Sequence, residues 1–436
     1  MTPRNQHLTG TGRVFLMLQG PHGPFFDDLA AALRGTGAVV WRCAFNAGDA
    51  HFWSDAAHLI PVQVGPAGWP AALNGLLDQH GVTDIVLYGD ARPIHDAARQ
   101  AAVARNLTLH VLEEGYLRPY WITYERGGAN GHSALMDLDL GQMQAALRSH
   151  RDDPPQPPAS WGDMRQHRFY GALYHLILLM GQRRFPHYQR HRTARLTTEA
   201  WLNLTRLIAA PFLSLWRRVK WLRMTAQAWP YSLVLLQLEH DASLQCHSRF
   251  DTNAQLIAEV IASFAQNAPS DQHLILKAHP LEDGRAKNGR AVRHAAQAHG
   301  VTGRVHYLPG GKLAAVLKRA LSVVTANSTG AQQALWRGIP VLALGRAIYV
   351  KPGVVSDQTL DAFFAAPQQP NRAAYRVLRD FLLRSSQVPG GFYSAQARDD
   401  ALSHLPALML AAQDPYTALL ADPLQECVSD QQENIS

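Results

Sequence analysis

Short apolar runs recur along the chain, and each ends in a polar corner. Val14 to Gly20 reads VFLMLQG, a run without polar alternation that predicts a strand buried on both faces. PHGPFF follows as a turn, and DDLAAALRGTG predicts a helix. A second strand is expected over Ala38 to Phe45 and a third over Asp84 to Asp90 (DIVLYGD), with ARPIHDAARQAAVARN as the next helix. Leu107 to Leu112 gives a fourth strand. Short strands alternating with helices predict a parallel sheet covered on both faces.

PPQPP (154–158) breaks the pattern and reads as a linker. From Trp161 to Trp229 the chain is helical in character, with no strand pattern. The alternation resumes after Pro230 with SLVLLQL (232–238) and the helix TNAQLIAEVIASFAQNA. HLILKAHP (273–280), VHYLPG (305–310), SVVTANS (322–328) and PVLALG (340–345) complete a second parallel set. The expected fold class is α/β, with two Rossmann-like parallel-sheet domains facing a cleft and a basic helical insert between them. The expected bounds are a flexible N-terminus (1–12), a first domain (13–153), the insert (154–230), a second domain (231–395) and a C-terminal helix and tail (396–436). Ligands of such sheets bind beyond the carboxyl ends of the strands, where the polar corners fall.

At 47% hydrophobic and 17% charged, the 436 residues can fill such cores. Cys43, Cys246 and Cys427 are few, odd in number and far apart, which fits a reducing compartment without a disulfide scaffold. The N-terminus has no apolar signal core, and no apolar run reaches the ~20 residues needed to span a bilayer. The expected location is cytoplasmic. Charge is unevenly placed: residues 161–224 hold twelve Lys/Arg and two Asp/Glu, a net +10, against +7 for the whole chain, so the remainder sums to −3. A field so localised attracts polyanions, either nucleic acid or an anionic lipid surface.

Four corners carry candidate chemistry. QGPHGPFF (Gln19 to Phe26) places two glycines and two prolines before a helix, as a ligand-binding turn or simply a tight connection. Glu113, Glu114 and Gly115 close the fourth apolar run. Alternation sends the two carboxylates to opposite sides, so one faces the cleft as general base or nucleophile. The plainer reading pairs one of them with Arg118 or uses it as a cap. Lys277 and His279 stand two apart at a strand end, suited to a phosphate or to solvent. Asn327, Ser328, Thr329 and Gly330 precede a helix, where they serve as a cap, a phosphate site or both. The histidines are scattered, and Asp137 with Asp139 reads as solvated charge, so no metal is expected.

LQGPHGPFF, FNAGDAHFW, YGDARPIH, EEGYLRPYWITYE, LQLEHDASLQCHSRF, KAHPLEDG and VVTANSTGAQQALWRGIPVLALGRAIYVKPG together resemble the KpsS/LipB-type capsule polysaccharide biosynthesis proteins. The resemblance covers roughly residues 14–125 and 231–355. It implies a GT-B-like β-Kdo transferase that takes Kdo from CMP-Kdo to a phosphatidylglycerol-type lipid and so starts the linker of a bacterial capsule. By resemblance the second acid, Glu114, is catalytic, with Glu113 beside it; related two-module Kdo transferases carry Glu-Asp-Gly there. The implied donor-binding set is Lys277, His279, Pro280, Asn327, Ser328, Thr329, Gly330, Gln237, His247 and Ser248. Gln19, Gly20, Gly23, Asn46, Asp49, Asp90, Arg92, His95 and Arg118 are implied for the cleft, acceptor or sugar. No cofactor is implied beyond the CMP-Kdo substrate. A β-linked donor giving a β-linked product means retention, through a Glu114 adduct.

The basic insert then gains a use. Arg183, Arg184, Arg217, Arg218, Lys220 and Arg223 beside Phe212, Trp216 and Trp221 suit the inner-membrane surface, although a solvated helical insert has the same composition. A partner Kdo transferase and the capsule export complex are the implied protein partners. Two other readings stay open: transfer of another CMP-nonulosonate such as sialic acid, and a non-catalytic assembly or export component. Nucleic-acid binding rests on the basic segment alone and is not expected.

Overall fold

The computed structural model describes residues 9–150, 152–158, 164–188, 229–238, 248–279 and 286–421, with the single positions 219, 227 and 282. They form two compact α/β units. One comprises the described residues up to 188 together with those from 379 onward; the other comprises the described residues from 219 to 378.

The first unit is built on a seven-stranded sheet. Its strands are β1 (Val14–Met17), β2 (Val39–Ala44), β3 (Leu59–Pro61), β4 (Asp84–Tyr88), β5 (Thr108–Glu114), β6 (Trp121–Arg126) and β12 (Gln387–Pro389), in the order β12-β6-β5-β4-β1-β2-β3. The first five are mutually parallel, as their unbroken apolar runs predict. One apolar layer, with Phe15, Met17, Phe25, Leu29, Val86 and Leu112, covers one face. A second, with Leu16, Leu18, Trp69, Ile85, Leu87 and Val111, covers the other.

Two features depart from the sequence expectation. β5 does not stop at Leu112: it continues through both glutamates, because β6 folds back antiparallel and pairs Glu113 with Thr123 and Glu114 with Ile122. The chain also returns to this sheet near its end, where β12 pairs antiparallel with β6. The second domain therefore does not extend to 395. A side-chain hydrogen bond from Gln387 Nε2 to Thr123 Oγ1 (3.0 Å) fixes the return.

The second unit carries β7 (Tyr231–Leu235), β8 (His273–Lys277), β9 (Val305–Leu308), β10 (Ala320–Thr325) and β11 (Val341–Ala343), all parallel, in the order β11-β10-β7-β8-β9. Helix Asn253–Asn267 packs Leu256, Ile257, Val260, Ile261 and Phe264 into its core and starts at a capping box made by Thr252 and Gln255. The order β9-β8-β7-β10-β11 repeats β3-β2-β1-β4-β5, so each unit is doubly wound. Each has its topological switch point between its first and fourth strands.

The start of the insert belongs to the first unit. Helix Met164–Met180 packs on the short helix Ala47–His51 that follows β2. Asp139, read as solvated, is the N-cap of helix Leu140–Arg148. Arg217, Arg218, Lys220, Arg223, Phe212, Trp216 and Trp221 lie outside the described residues, as do His247 and Pro280.

Candidate active site

The acidic corner sits where β5 runs out beside the end of β4. The Tyr88 hydroxyl donates to Glu114 Oε1 at 3.3 Å and lies 3.5 Å from the Tyr393 hydroxyl. Burial holds both phenols well above their ordinary value, and the charges of Glu114 and Glu113 push the same way, so both stay protonated as donors at neutral pH. Glu113 Oε1 accepts the backbone N–H of Glu114 (3.2 Å), and its other oxygen lies over Gly89. Gly89 has φ +68°, and a Cβ there would stand 3.0 Å from that oxygen. At Gly115 a Cβ would lie 2.1 Å from the Trp121 carbonyl oxygen, so glycine is required for the two chain segments to approach. Arg118 Nε donates to the Gly115 carbonyl at 3.1 Å rather than to Glu114. Neither Tyr88 nor Tyr393 was singled out from the sequence. Tyr88 ends an apolar strand, but Tyr393 arrives with the C-terminal return.

The switch point of the first unit is a buried polar cluster. Arg92 Nη1, from the loop after β4, donates to Gln19 Oε1 (2.8 Å), from the loop after β1. Asn46 caps helix Ala47–His51 by accepting from Asp49 N (3.0 Å), while its Nδ2 donates to the Tyr174 hydroxyl (2.7 Å). That hydroxyl donates to Asp49 Oδ1 at 3.1 Å. Gln19 Nε2 points at Asp49, Tyr174 and Tyr188 at 3.4–3.5 Å. Asp49 and Arg42, both buried, stand 3.8 Å apart. Burial raises the Asp49 carboxyl and lowers the Arg42 guanidinium, and their attraction opposes both shifts.

The corner residues there serve largely to seat the insert helix. Gly23, at φ +108°, leaves room for Tyr170, and a Cβ at Gly48 would stand 2.5 Å from the Tyr174 ring. Gly20 accommodates Phe26. Helix Phe25–Arg34 already carries Asp27 and Asp28 in its first turn, so its positive end is answered within the protein. Asp90 accepts from Ala129 N (2.8 Å) and contacts His132 Nδ1 (3.1 Å). His95 is fully buried with Nδ1 2.5 Å from the Gly89 carbonyl oxygen.

In the second unit, Gln237 and Asn327 meet across the switch point, Asn327 N donating to Gln237 Oε1 at 3.4 Å. Asn253 Nδ2 holds the Gln237 carbonyl at 2.8 Å. Ser328 N donates to Thr325 Oγ1 (3.3 Å), Ser328 Oγ accepts from Gly330 N (3.2 Å), and Tyr349, fully buried, donates to the Ser328 carbonyl (2.8 Å). The loop is thus pre-shaped, with Thr329 half-buried on it, before helix Ala331–Trp336. That helix has six residues and brings little dipole of its own.

Lys277 ends β8 at 3% exposure, its ammonium donating to the Ala278 carbonyl at 3.2 Å. No carboxylate among the described residues pairs with it, and burial alone pulls its pKa down to about 8. His279 follows two residues on, half-buried. Ser248 bridges to Gly345, and its hydroxyl shapes the turn at Phe250. A cavity of about 550 Å³ lies beside β11, lined by Arg249, Glu259, Ser356, Gln358 and Asp361 among others. Its Arg249–Glu259 ion pair is internally neutral, and no local sequence pattern announces the cavity. Among the described residues no three His, Cys, Asp or Glu gather as metal ligands, and no helix is long and apolar enough to cross a membrane.

The model of the capsule polysaccharide biosynthesis protein family matches residues 83–393. The capsule polysaccharide modification protein LipB of Neisseria meningitidis serogroup B is 30% identical over 403 residues, covering 89% of this chain and 94% of LipB. The capsule polysaccharide export protein KpsS of Escherichia coli is 29% identical over 396 residues, covering 88% and 97%. Among solved structures, the β-Kdo 2,7 transferase of Thermosulfurimonas dismutans KpsC aligns with 91% of this chain and 100% of its own, at 13% identity and a TM-score of 0.43.

Proposed function

The chain belongs to the capsule polysaccharide biosynthesis protein family, and from that premise we propose that it is a GT-B-type glycosyltransferase. It moves Kdo from CMP-Kdo to a phosphatidylglycerol-type acceptor at the cytoplasmic face of the inner membrane. The observation that carries the proposal is the pairing of chemistries at the strand ends. One unit holds a carboxylate corner served by a phenol donor, and the other holds a buried ammonium at the end of one strand and a hydroxyl-bearing loop two strands away, at the same carboxyl edge of the sheet.

The roles follow from charge. Glu114 attacks the anomeric carbon while the bond to the CMP phosphate breaks, and the electron pair leaves on the phosphate oxygen. Lys277 offsets the charge that develops there, and the Ser328 and Thr329 hydroxyls hydrogen-bond it. An acceptor hydroxyl then attacks the adduct, frees the Glu114 carboxylate and loses its proton to a base. Glu113 is the second carboxylate at the corner. Two displacements preserve the β configuration. Tyr88 holds the Glu114 carboxylate in one orientation.

The test supplies CMP-Kdo, generated in place, with tagged lysophosphatidylglycerol and reads the lipid by mass spectrometry. One added Kdo, absent with Glu114→Gln, is expected. Transfer at the wild-type rate by Glu114→Gln sinks the assignment of Glu114. Failure with CMP-Kdo but turnover of another CMP-nonulosonate replaces the donor, since Lys277 and the hydroxyl loop address the phosphate and not the sugar.

A further inference from the structure

Helix Met164–Met180 is docked by one face and open on the other. The docked face is tightly fitted. Tyr174 bonds Asn46 and Asp49, Tyr170 packs over Gly23, and Leu178 is buried. His167 meets the Tyr393 ring edge-on at 4.1 Å, and at Gly181, just beyond the helix, a Cβ would stand 2.1 Å from that of Ala47. Ala395 N bonds Gln166 Oε1 at 2.8 Å. Such packing fixes the rotation of the helix about its axis. The opposite face then presents Phe169, Leu176 and Met180 at 62%, 52% and 74% exposure. Spaced seven and four residues apart, they share one side and form an apolar stripe about 17 Å long at 1.5 Å per residue. Exposed large apolar side chains collected in a stripe mark an interaction surface.

Charge identifies the occupant. Arg165 stands one turn before Phe169, and Arg183 and Arg184 follow Met180; all three are exposed. From Met164 to Tyr188 the chain has four arginines and no carboxylate. The adjoining residues 189–226 carry eight Lys/Arg and one Asp/Glu, a net +7, so the neighbouring sequence adds positive charge and almost no acidic complement. An apolar stripe ended by arginines, on a helix whose opposite face is docked against its own unit, matches the boundary between acyl chains and anionic headgroups. We infer that the outer face of helix Met164–Met180 is the lipid-docking surface of the protein, seating Phe169, Leu176 and Met180 at the acyl boundary of an anionic bilayer with Arg165, Arg183 and Arg184 among the headgroups.

The inference rests on the helix and not on sugar transfer, and its test needs no sugar donor. The full chain is floated with vesicles of phosphatidylglycerol and phosphatidylcholine, and with phosphatidylcholine alone, across a salt series. Wild type is expected on the anionic vesicles only, with binding that falls as salt rises. Phe169→Asp with Leu176→Asp is expected to lower the partition coefficient at least about a hundredfold, roughly tenfold or more for each large apolar side chain leaving the bilayer. Arg183→Gln with Arg184→Gln is expected to flatten the salt dependence. Unchanged thermal melts establish that the variants fold. Unchanged binding by the Phe169/Leu176 variant overturns the inference. So does binding of a single-stranded oligonucleotide that depends on Arg183 and Arg184 without vesicle binding. Met180→Cys, in a chain with Cys246→Ser and Cys427→Ser, is expected to react readily with a polar maleimide and to be protected by anionic vesicles. Protection without vesicles would show that the chain covers its own stripe, and would overturn the inference equally.

Discussion

Replacing Lys277 by methionine is expected to stabilise the ligand-free protein while removing its response to CMP. Lys277 is almost wholly buried and donates to one carbonyl oxygen, and burial lowers its pKa from 10.5 to about 8. At about 1.4 kcal/mol per pKa step, the charged form carries a folding cost of roughly 3 kcal/mol at neutral pH. Between pH 8 and 10.5 the unfolded chain keeps a proton there that the folded chain has lost. Stability therefore rises with pH across that window, and the cost is fully present below it. Methionine keeps the length without the charge but leaves the Ala278 carbonyl without its donor, a loss of about 1 kcal/mol. The net gain is about 2 kcal/mol, or about 4–8 °C in the melting of a unit this size. Thermal melts of wild type and Lys277→Met from pH 7 to 10.5 measure it, and their difference isolates this one titration. CMP at about a hundred times its Kd stabilises a binding-competent protein by roughly 2.7 kcal/mol, and that gain should vanish in the variant. A variant that melts lower than wild type with an unchanged pH slope, or that CMP stabilises equally, refutes the reasoning. The cation would then be structural, and the phosphate would be held elsewhere.

Tyr88→Phe removes the donor to Glu114 Oε1 and should lower kcat about tenfold with KM little changed, as steady-state kinetics with CMP-Kdo would show. Gly115→Ala forces a Cβ onto the Trp121 carbonyl and should cost at least about 2 kcal/mol in denaturant unfolding. Tyr174→Phe takes a hydroxyl from both Asn46 and buried Asp49, and should cost about 1–3 kcal/mol by the same measurement. Glu125 is fully buried, and burial pushes its carboxyl from 4.5 up to about 8. The folded chain therefore holds a proton there between pH 4.5 and 8 that the unfolded chain has released, and stability falls as pH rises through that range. Glu125→Gln should flatten that slope in pH-dependent melts.

Nine of the twelve strands among the described residues were legible because a strand buried on both faces reads as a continuous apolar run. The three that were not fail that condition. β3 has three residues at a sheet edge. β6 buries Thr123 and Glu125, so its pattern reads as half-solvated, and β12 is three residues whose partner lies 264 positions away. The location of the candidate site followed from the same physics, since an apolar run that ends in Gln, Asp, Glu or Lys places that residue at a carboxyl end. The partners did not follow. Nothing near Asn46 or Asp49 in sequence announces Tyr174, and nothing near Glu114 announces Tyr393. Hydroxyls delivered by a helix more than a hundred residues away, and by a terminal return, are products of packing that leave no local pattern.

The two units solve one topological problem in two ways. Each places a buried glutamine two residues past its first strand, Gln19 after Met17 and Gln237 after Leu235. In each, the glutamine's Oε1 accepts from the loop after the fourth strand, from Arg92 in one and from the Asn327 backbone in the other. The shared bond closes the gap that doubly wound sheets leave at the switch point. What surrounds it differs. In the first unit Tyr174 and Tyr188 hydroxyls reach the glutamine, and Asp49 sits opposite Arg42, so buried charge is met from within the chain. In the second, the strand beside β7 ends in Lys277, a buried cation without a carboxylate among the described residues. A buried ammonium left in that state costs stability unless an anion joins it, whereas the first unit needs no ligand to satisfy its switch point. Under the proposed function the donor phosphate is that anion, and it joins the unit whose buried charge is not already met from within.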